Sequence, residues 1–190
     1  MKIIVTGGAG FIASHITDAY LDMGHDVVVI DDMSKGKEEN LNPKAHFYKT
    51  DITDKKAIDE IFEKEKPDIV NHHAAMIEVV RSVREPGQTI SVNVVGTANL
   101  LSAAAQNKVK KFIFASTGGA IYGSPEEVHV DESYPPQPAS PYGTSKLLAE
   151  QFIEHYSREN DIDYVVLRYA NVYGERQDSK GEAGVVAIFS

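Results

Sequence analysis

The sequence predicts an α/β chain built on a doubly wound parallel sheet, from three observations. Six short apolar runs are rich in β-branched residues, stretches of helical period lie between them, and a glycine cluster directly follows the first run. The runs place strands at residues 2–6, 26–30, 46–49, 68–72, 111–115 and 163–168. Between them, Ile12, Ile16, Ala19, Tyr20 and Met23 form one helical stripe, with Gly24 as a natural stop. A second stripe runs through Ile90, Val94, Ala98, Leu101 and Ala105, and both stripes are assigned to core packing. Residues 118–140 hold four of the eight prolines and show neither period, which predicts a long ordered surface loop. Ser140 then supplies a helix N-cap and Pro141 a first helical residue.

Length and composition narrow the function. A chain of 190 residues forms one domain with a substantial core, and no window approaches the ~18 uninterrupted apolar residues of a membrane span. Met1 to Thr6 run straight into the glycine cluster without the features of a signal peptide, and cysteine is absent, so a cytoplasmic protein without disulfides or thiolate metal sites is expected. A net charge of −9, with no basic cluster denser than Lys108-Val109-Lys110-Lys111, argues against nucleic acid and for a small-molecule partner. His72 and His73 are strand neighbours that point to opposite faces, and His15, His25, His46, His129 and His155 lack ligand spacing, so no metal site is expected. The apolar run at 184–189 ends at Ser190 without a polar tail, which reads as a chain truncated before any substrate-binding lobe.

The glycine cluster, Thr6-Gly7-Gly8-Ala9-Gly10-Phe11-Ile12-Ala13, lies between a predicted strand and a predicted helix. Gly7 allows a tight turn, and Gly10 lets a pyrophosphate approach the backbone. The helix N-terminus offers free N–H groups and a partial positive charge to phosphates. Ala13, at the third glycine position, is small enough to keep the helix close to the sheet. Asp31 follows Gly10 by 21 residues at the end of the second strand, where a carboxylate accepts from a ribose 2′-hydroxyl and repels a 2′-phosphate. The pattern is a Rossmann dinucleotide site that favours NAD over NADP.

Tyr142 and Lys146 are four residues apart at the start of the helix capped by Ser140, so their side chains share a face. An ammonium beside a phenol favours the phenolate, which turns Tyr142 into a usable general base. Ser116 and Thr117 fall at the C-terminal end of the fifth strand, where ligands sit in an open α/β sheet. Either hydroxyl could hydrogen-bond the reacting oxygen. No Gly-x-Ser-x-Gly elbow or P-loop Gly-Lys-Ser/Thr occurs, which excludes two other α/β chemistries.

With these residues in place, the chain resembles the extended short-chain dehydrogenase/reductase family, the NAD-dependent epimerases and dehydratases, along its whole length. Within that family it is most similar to the members that epimerise UDP-hexoses at C4. The resemblance rests on the glycine cluster, Asp31-Asp32-Met33-Ser34-Lys35-Gly36, Asp51-Ile52, His72-His73-Ala74-Ala75, Asn93 with Gly96-Thr97, Ser116-Thr117, the Tyr142/Lys146 pair, and Arg168-Tyr169-Ala170-Asn171-Val172-Tyr173-Gly174. It implies that backbone groups of Phe11 and Ile12 meet the NAD pyrophosphate, Asp31, Asp32, Met33, Ser34, Lys35 and Gly36 wrap the adenosine ribose, and Asp51 with Ile52 reads the adenine edge. His73, Ala74, Ala75 and Asn93 would line the cofactor cleft, and Ala170 would lie by the nicotinamide. Lys146 would hold the ribose. Ser116 and Asn171 would touch the sugar nucleotide, Thr117 would bond the C4 oxygen, and Tyr142 would move its proton. A homodimer through helices near residues 98–105 and 147–156 is also implied.

Two positions depart from the family pattern: Ala13 replaces the usual glycine, and Ala170 stands where many members carry an aromatic residue. Relatives that dehydrate or decarboxylate carry acidic residues just after the strand-end hydroxyl. Here Gly118-Gly119-Ala120-Ile121-Tyr122-Gly123 offers none, which leaves oxidation and re-reduction at C4. Two alternatives stay open: another nucleotide-sugar epimerase or dehydratase, and a non-catalytic NAD-binding regulatory module.

Overall fold

The computed structural model describes residues 1–125 and 129–178. Six parallel strands, β1 (Lys2–Thr6), β2 (Asp26–Asp31), β3 (His46–Lys49), β4 (Ile69–His72), β5 (Lys111–Thr117) and β6 (Asp163–Tyr169), form one sheet in the order β3-β2-β1-β4-β5-β6. The order reverses direction at β1, next to β4, and in doubly wound sheets ligands bind at the strand C-termini beside that reversal. The central strands are nearly continuous apolar runs because helices cover both faces, so each residue of Ile3, Ile4 and Val5 meets a core. Each strand lies within two residues of its predicted bounds. Asp68 falls just outside β4 and donates its N–H to the Lys2 carbonyl.

The helices are α1 (Phe11–Asp22), α2 (Lys55–Glu65), α3 (Val79–Arg84), α4 (Pro86–Ile90), α5 (Thr97–Gln106), α6 (Gly118–Ile121) and α7 (Pro141–Glu159). One core layer joins Ile4, Val28 and Ile30 to Ile58, Ile61 and Phe62 of α2, Leu100 and Leu101 of α5, and Ala149 and Ile153 of α7. On the other face, Ile3, Val5, Val27 and Val29 meet Ala13 of α1. At roughly 1.5–3 kcal/mol per fully buried large apolar side chain, the first layer carries most of the stabilisation.

Three expectations need correction. The buried face of α1 is Ala13, Ser14 and Thr17, while Met23 of the predicted stripe is 69% exposed. Close packing of a helix on strands selects small side chains. Ile12 and Ile16 turn instead toward a groove shared with Tyr169 and Val172. The second stripe is not one regular helix: a π-helical turn, Ser91–Gly96, separates α4 from α5, and within α5 the deeply buried positions are Thr97, Asn99, Leu100, Leu101, Ala103 and Ala104. This helix packs against α2 and α7 as well as the sheet, so its apolar surface is broader than a stripe. Finally, the predicted 118–140 loop begins with α6. Two adjacent glycines give no helical signal; the turn forms because the Thr117 side chain accepts from the Ala120 N–H. The apolar run at 184–189 lies outside the described residues.

Candidate active site

The cleft is built first from backbone. Gly7 has φ +72°, and a Cβ there would stand 2.8 Å from the Ala74 amide nitrogen, so the turn after β1 admits only glycine. It is closed by the Gly10 N–H donating to the Gly7 carbonyl at 2.9 Å. Gly10 then opens α1 without any side-chain cap and without an acidic residue in the first turn, leaving the N–H groups of Phe11, Ile12 and Ala13 for a ligand.

Asp31 closes the second side of the cleft. Its carboxylate accepts from the Ala9 N–H at 3.0 Å and the Met33 N–H at 2.8 Å, and burial nevertheless raises its pKa above the ordinary carboxylate value. The next residues fold onto it. Ser34 donates its N–H and hydroxyl to Asp32, and a Cβ on Gly36 would stand 2.8 Å from the Asp31 Oδ1. Lys35 reaches across to Glu78, 3.0 Å away, tying this loop to the one after β4. Asp51 accepts from the Thr53 N–H beyond β3, and Ile52 is buried against Gly96 of the π turn. Asp31, Asp51, His73 and Ala74 thus stand at the C-terminal ends of β2, β3 and β4.

His72 and His73 divide as the strand geometry requires. Thr97 spends its hydroxyl proton on the Asn93 carbonyl at 2.7 Å, so its oxygen accepts from His72 Nε2 at 2.9 Å, which leaves Nδ1 to accept from the Thr6 hydroxyl at 2.7 Å. His72 is therefore a neutral Nε2–H tautomer, and burial holds its pKa well below the usual imidazole range. His73 faces Tyr169, with its Nε2 3.3 Å from the phenol oxygen, and burial lowers its pKa to about 4. Among the described residues, no group of three or more His, Asp or Glu could hold a metal ion.

The reactive end is set by β5 and α7. The Ser140 side chain caps the Gly143 N–H at 3.1 Å, and the Tyr142 N–H donates to the Ser82 hydroxyl at 3.1 Å, fixing the first turn. Burial raises the Tyr142 phenol pKa, and the neighbouring Thr117 hydroxyl opposes the rise. Lys146 is 3% exposed; its ammonium donates to the Ala115 carbonyl at 2.8 Å and lies over the Phe114 ring, 4.5 Å from its centroid. Burial pushes its pKa down to about 7. Here the interaction that favours the phenolate comes from Thr117, and the ammonium is turned to the strand end.

The hydroxyl pair also separates. Ser116 is buried and donates a short hydrogen bond to Glu150, while Thr117 faces Tyr142, so Thr117 is the hydroxyl left for a reacting oxygen. Asn93 is 1% exposed and its amide is used entirely within the protein. It accepts from the Met76 N–H at 2.8 Å and donates to the Met76 carbonyl and the Ser145 hydroxyl at 3.0 and 2.9 Å. Its side chain shapes the cleft by clamping the loop after β4 to α7. Ala170 and Asn171 stand exposed just past β6.

Sequence reasoning missed the buried polar group beneath the pair. Glu150 holds Arg168 through both carboxylate oxygens, the shortest contact being 2.7 Å, and Arg168 donates to the Tyr122 hydroxyl at 2.6 Å. The available signal was spacing: Tyr142, Lys146 and Glu150 follow one another at intervals of four along a single helix face.

A doubly wound sheet with a glycine-turn cleft, and a tyrosine and a lysine one turn apart beside a strand-end hydroxyl, define the short-chain dehydrogenase/reductase class. The chain belongs to the NAD dependent epimerase/dehydratase family, whose sequence model matches residues 3–190. It is similar to a UDP-glucose 4-epimerase of Mycolicibacterium smegmatis, at 44% identity over 195 residues, covering 100% of this chain and 62% of the relative. Among solved structures it resembles the Thermotoga maritima UDP-glucose 4-epimerase with UDP-glucose, at 50% identity and TM-score 0.95, covering 100% of this chain and 62% of that one. It also resembles the Thermus thermophilus UDP-glucose 4-epimerase in complex with NAD, at 46% identity and TM-score 0.95, covering 100% and 61%. The chain thus spans about three fifths of the length of these relatives.

Proposed function

We propose that the chain is the NAD-binding and catalytic part of an epimerase that inverts C4 of a UDP-hexose, interconverting UDP-glucose and UDP-galactose through a 4-keto sugar. The observation that carries this reading is the glycine-built cleft, with the uncapped N-terminus of α1 on one side and Asp31 on the other, opening at the strand end where Thr117 neighbours Tyr142. The cleft fits NAD: Gly7 and Gly10 clear the backbone for a pyrophosphate, the uncapped N–H groups of α1 face it, and Asp31 stands where a ribose diol needs an acceptor. NAD supplies the hydride acceptor and donor at C4, so the cycle ends without net redox.

The protein's own groups do the rest. Tyr142 takes the C4-hydroxyl proton and returns it, Thr117 bonds the same oxygen and keeps it aligned with the phenol, and Lys146 supplies positive charge beneath them. No acid or base follows Thr117 in the α6 turn, which favours epimerisation over elimination. A regulatory module would have no use for a hydroxyl set beside a half-buried phenol at the strand end. A homodimer through α5 and α7 fits the exposed Leu148 and Phe152 on α7, at 41% and 40%.

The test is a coupled assay for UDP-galactose conversion, run on the 190-residue chain and on a version extended with the region that the longer relatives carry. Conversion by the extended version supports the reading. NAD binding with no turnover of any UDP-hexose in either version would overturn it.

A further inference from the structure

We propose that the Glu150–Arg168 pair is a positioning element for the reactive face of α7: Glu150, held by Arg168 and Ser116, fixes the strand end next to the Ala115 carbonyl that holds Lys146, and acts as the counter-charge of that ammonium. The proposal rests on the epimerase reading for the role of Lys146, but its geometry stands independently of the substrate.

Glu150 lies one helical turn beyond Lys146, and Lys146 one turn beyond Tyr142, so the three side chains stack along one face. Every part of the Glu150 carboxylate is held. Oε1 accepts from the Ser116 hydroxyl and from Arg168 Nε at 3.1 Å, and Oε2 accepts from Arg168 Nη2 at 2.7 Å. Arg168 in turn uses Nη1 on the Tyr122 hydroxyl, and its guanidinium lies 5.2 Å from the centroid of that ring. Four elements meet here: α7 with Glu150, β5 with Ser116, β6 with Arg168, and the residue after α6. Ser116 immediately precedes Thr117, so the same carboxylate anchors the strand end from which Thr117 meets Tyr142.

Burial of this pair needs a reason besides stability. Taking both charges out of water costs about as much as their attraction returns, and apolar residues of the same volume commonly do as well. The side chains of Glu150 and Arg168 are only 9% and 20% exposed. What an apolar replacement would lose is a fixed negative charge one turn below a buried ammonium. The groups facing the Lys146 ammonium are Glu150 on α7, His72 and His73 at the end of β4, and the Phe114 ring and Ala115 carbonyl of β5; Tyr142 lies one turn before it on α7, and Arg168 acts through Glu150. Both histidines are held neutral, so the carboxylate is the counter-charge that acts on the ammonium. Burial drives Lys146 toward its uncharged form, and Glu150 opposes that. Arg168 limits the opposition by neutralising part of the carboxylate's field.

The test is the titration of Lys146 in the 190-residue chain without ligand, followed by NMR of ¹³Cε-labelled lysine and assigned by loss of the resonance in Lys146→Met. Glu150→Gln keeps the shape and removes the charge, and the Lys146 midpoint should fall by roughly 1 unit. Arg168→Met frees the carboxylate's field, and the midpoint should rise. Arg168→Lys keeps the charge and should leave it near the wild-type value. A structural role would not move the first two variants in opposite directions. If Arg168→Met does not fold, the Glu150→Gln and Arg168→Lys titrations still decide the matter. In the active enzyme, Glu150→Gln should lower kcat above pH 7 by up to about tenfold, with a smaller change in KM. A Lys146 midpoint in Glu150→Gln within about 0.2 unit of wild type would overturn the proposal, however much stability is lost. If wild-type enzyme turns over no UDP-hexose, the functional reading falls, while the titrations still decide the role of Glu150.

Discussion

A Cβ placed on Gly143 would stand 2.4 Å from the Ala120 carbonyl oxygen, so the residue after Tyr142 is glycine because α7 seats its first turn directly on α6. Gly143 needs no unusual backbone angle; what it needs is the absence of a side chain. In an exposed helix, Gly→Ala would stabilise by about 1 kcal/mol. Here Gly143→Ala is expected to destabilise by roughly 1–3 kcal/mol through overpacking against backbone, and to weaken turnover by moving Tyr142 away from Thr117. Urea unfolding gives the sign. A variant as stable as wild type would mean that α6 yields freely.

NAD should bind at least about tenfold more tightly than NADP, a difference of ~1.4 kcal/mol. Asp31 is held rigid by the Ala9 and Met33 N–H groups, so it cannot swing away from a 2′-phosphate. Calorimetric titration with both cofactors measures this directly, and equal affinities would remove Asp31 from the ribose site.

Tyr142→Phe should leave NAD affinity within about twofold and lower the epimerase rate by ~10²–10⁴, the usual contribution of a positioned proton-transfer group. The variant loses the phenol oxygen that neighbours Thr117 but keeps the half-buried ring. More than a tenth of the wild-type rate would assign the proton transfer to another group.

His73 gives the fold a pH dependence with a defined sign. Its pKa falls from 6.5 to about 4 on folding, so between those values the unfolded chain binds more protons than the folded one. Stability is therefore fully present above pH 6.5 and is lost as pH falls toward 4, at up to about 1.4 kcal/mol per pH unit from this group. His73→Gln should flatten that part of the curve. Urea midpoints measured without cofactor from pH 4 to 8 for both proteins compare them, and identical slopes would show that His73 is accessible to water.

The amino-acid sequence by itself determined the strands, the glycine turn and the start of α7. These follow from local chemistry: a strand buried on both faces must be a continuous apolar run, a tight turn at positive φ must be glycine, and Ser140-Pro141 matches a helix N-terminus whatever surrounds it. The placement of Asp31 and of the Tyr142/Lys146 pair was legible for the same reason, because fixed spacings along regular elements convert directly into positions. Only the tertiary structure decided which side of α1 is buried, since the space between helix and sheet admits Ala13, Ser14 and Thr17 and leaves Ile12 and Ile16 to the groove. It also decided that Ser116 belongs to Glu150 and Thr117 to Tyr142, and that the Asn93 amide is consumed by Met76 and Ser145. A hydroxyl or amide carries no record in sequence of which partner it will meet. That choice depends on elements far apart in the chain, as when Arg168 of β6 finds Glu150 of α7 and so brings a buried counter-charge beneath Lys146.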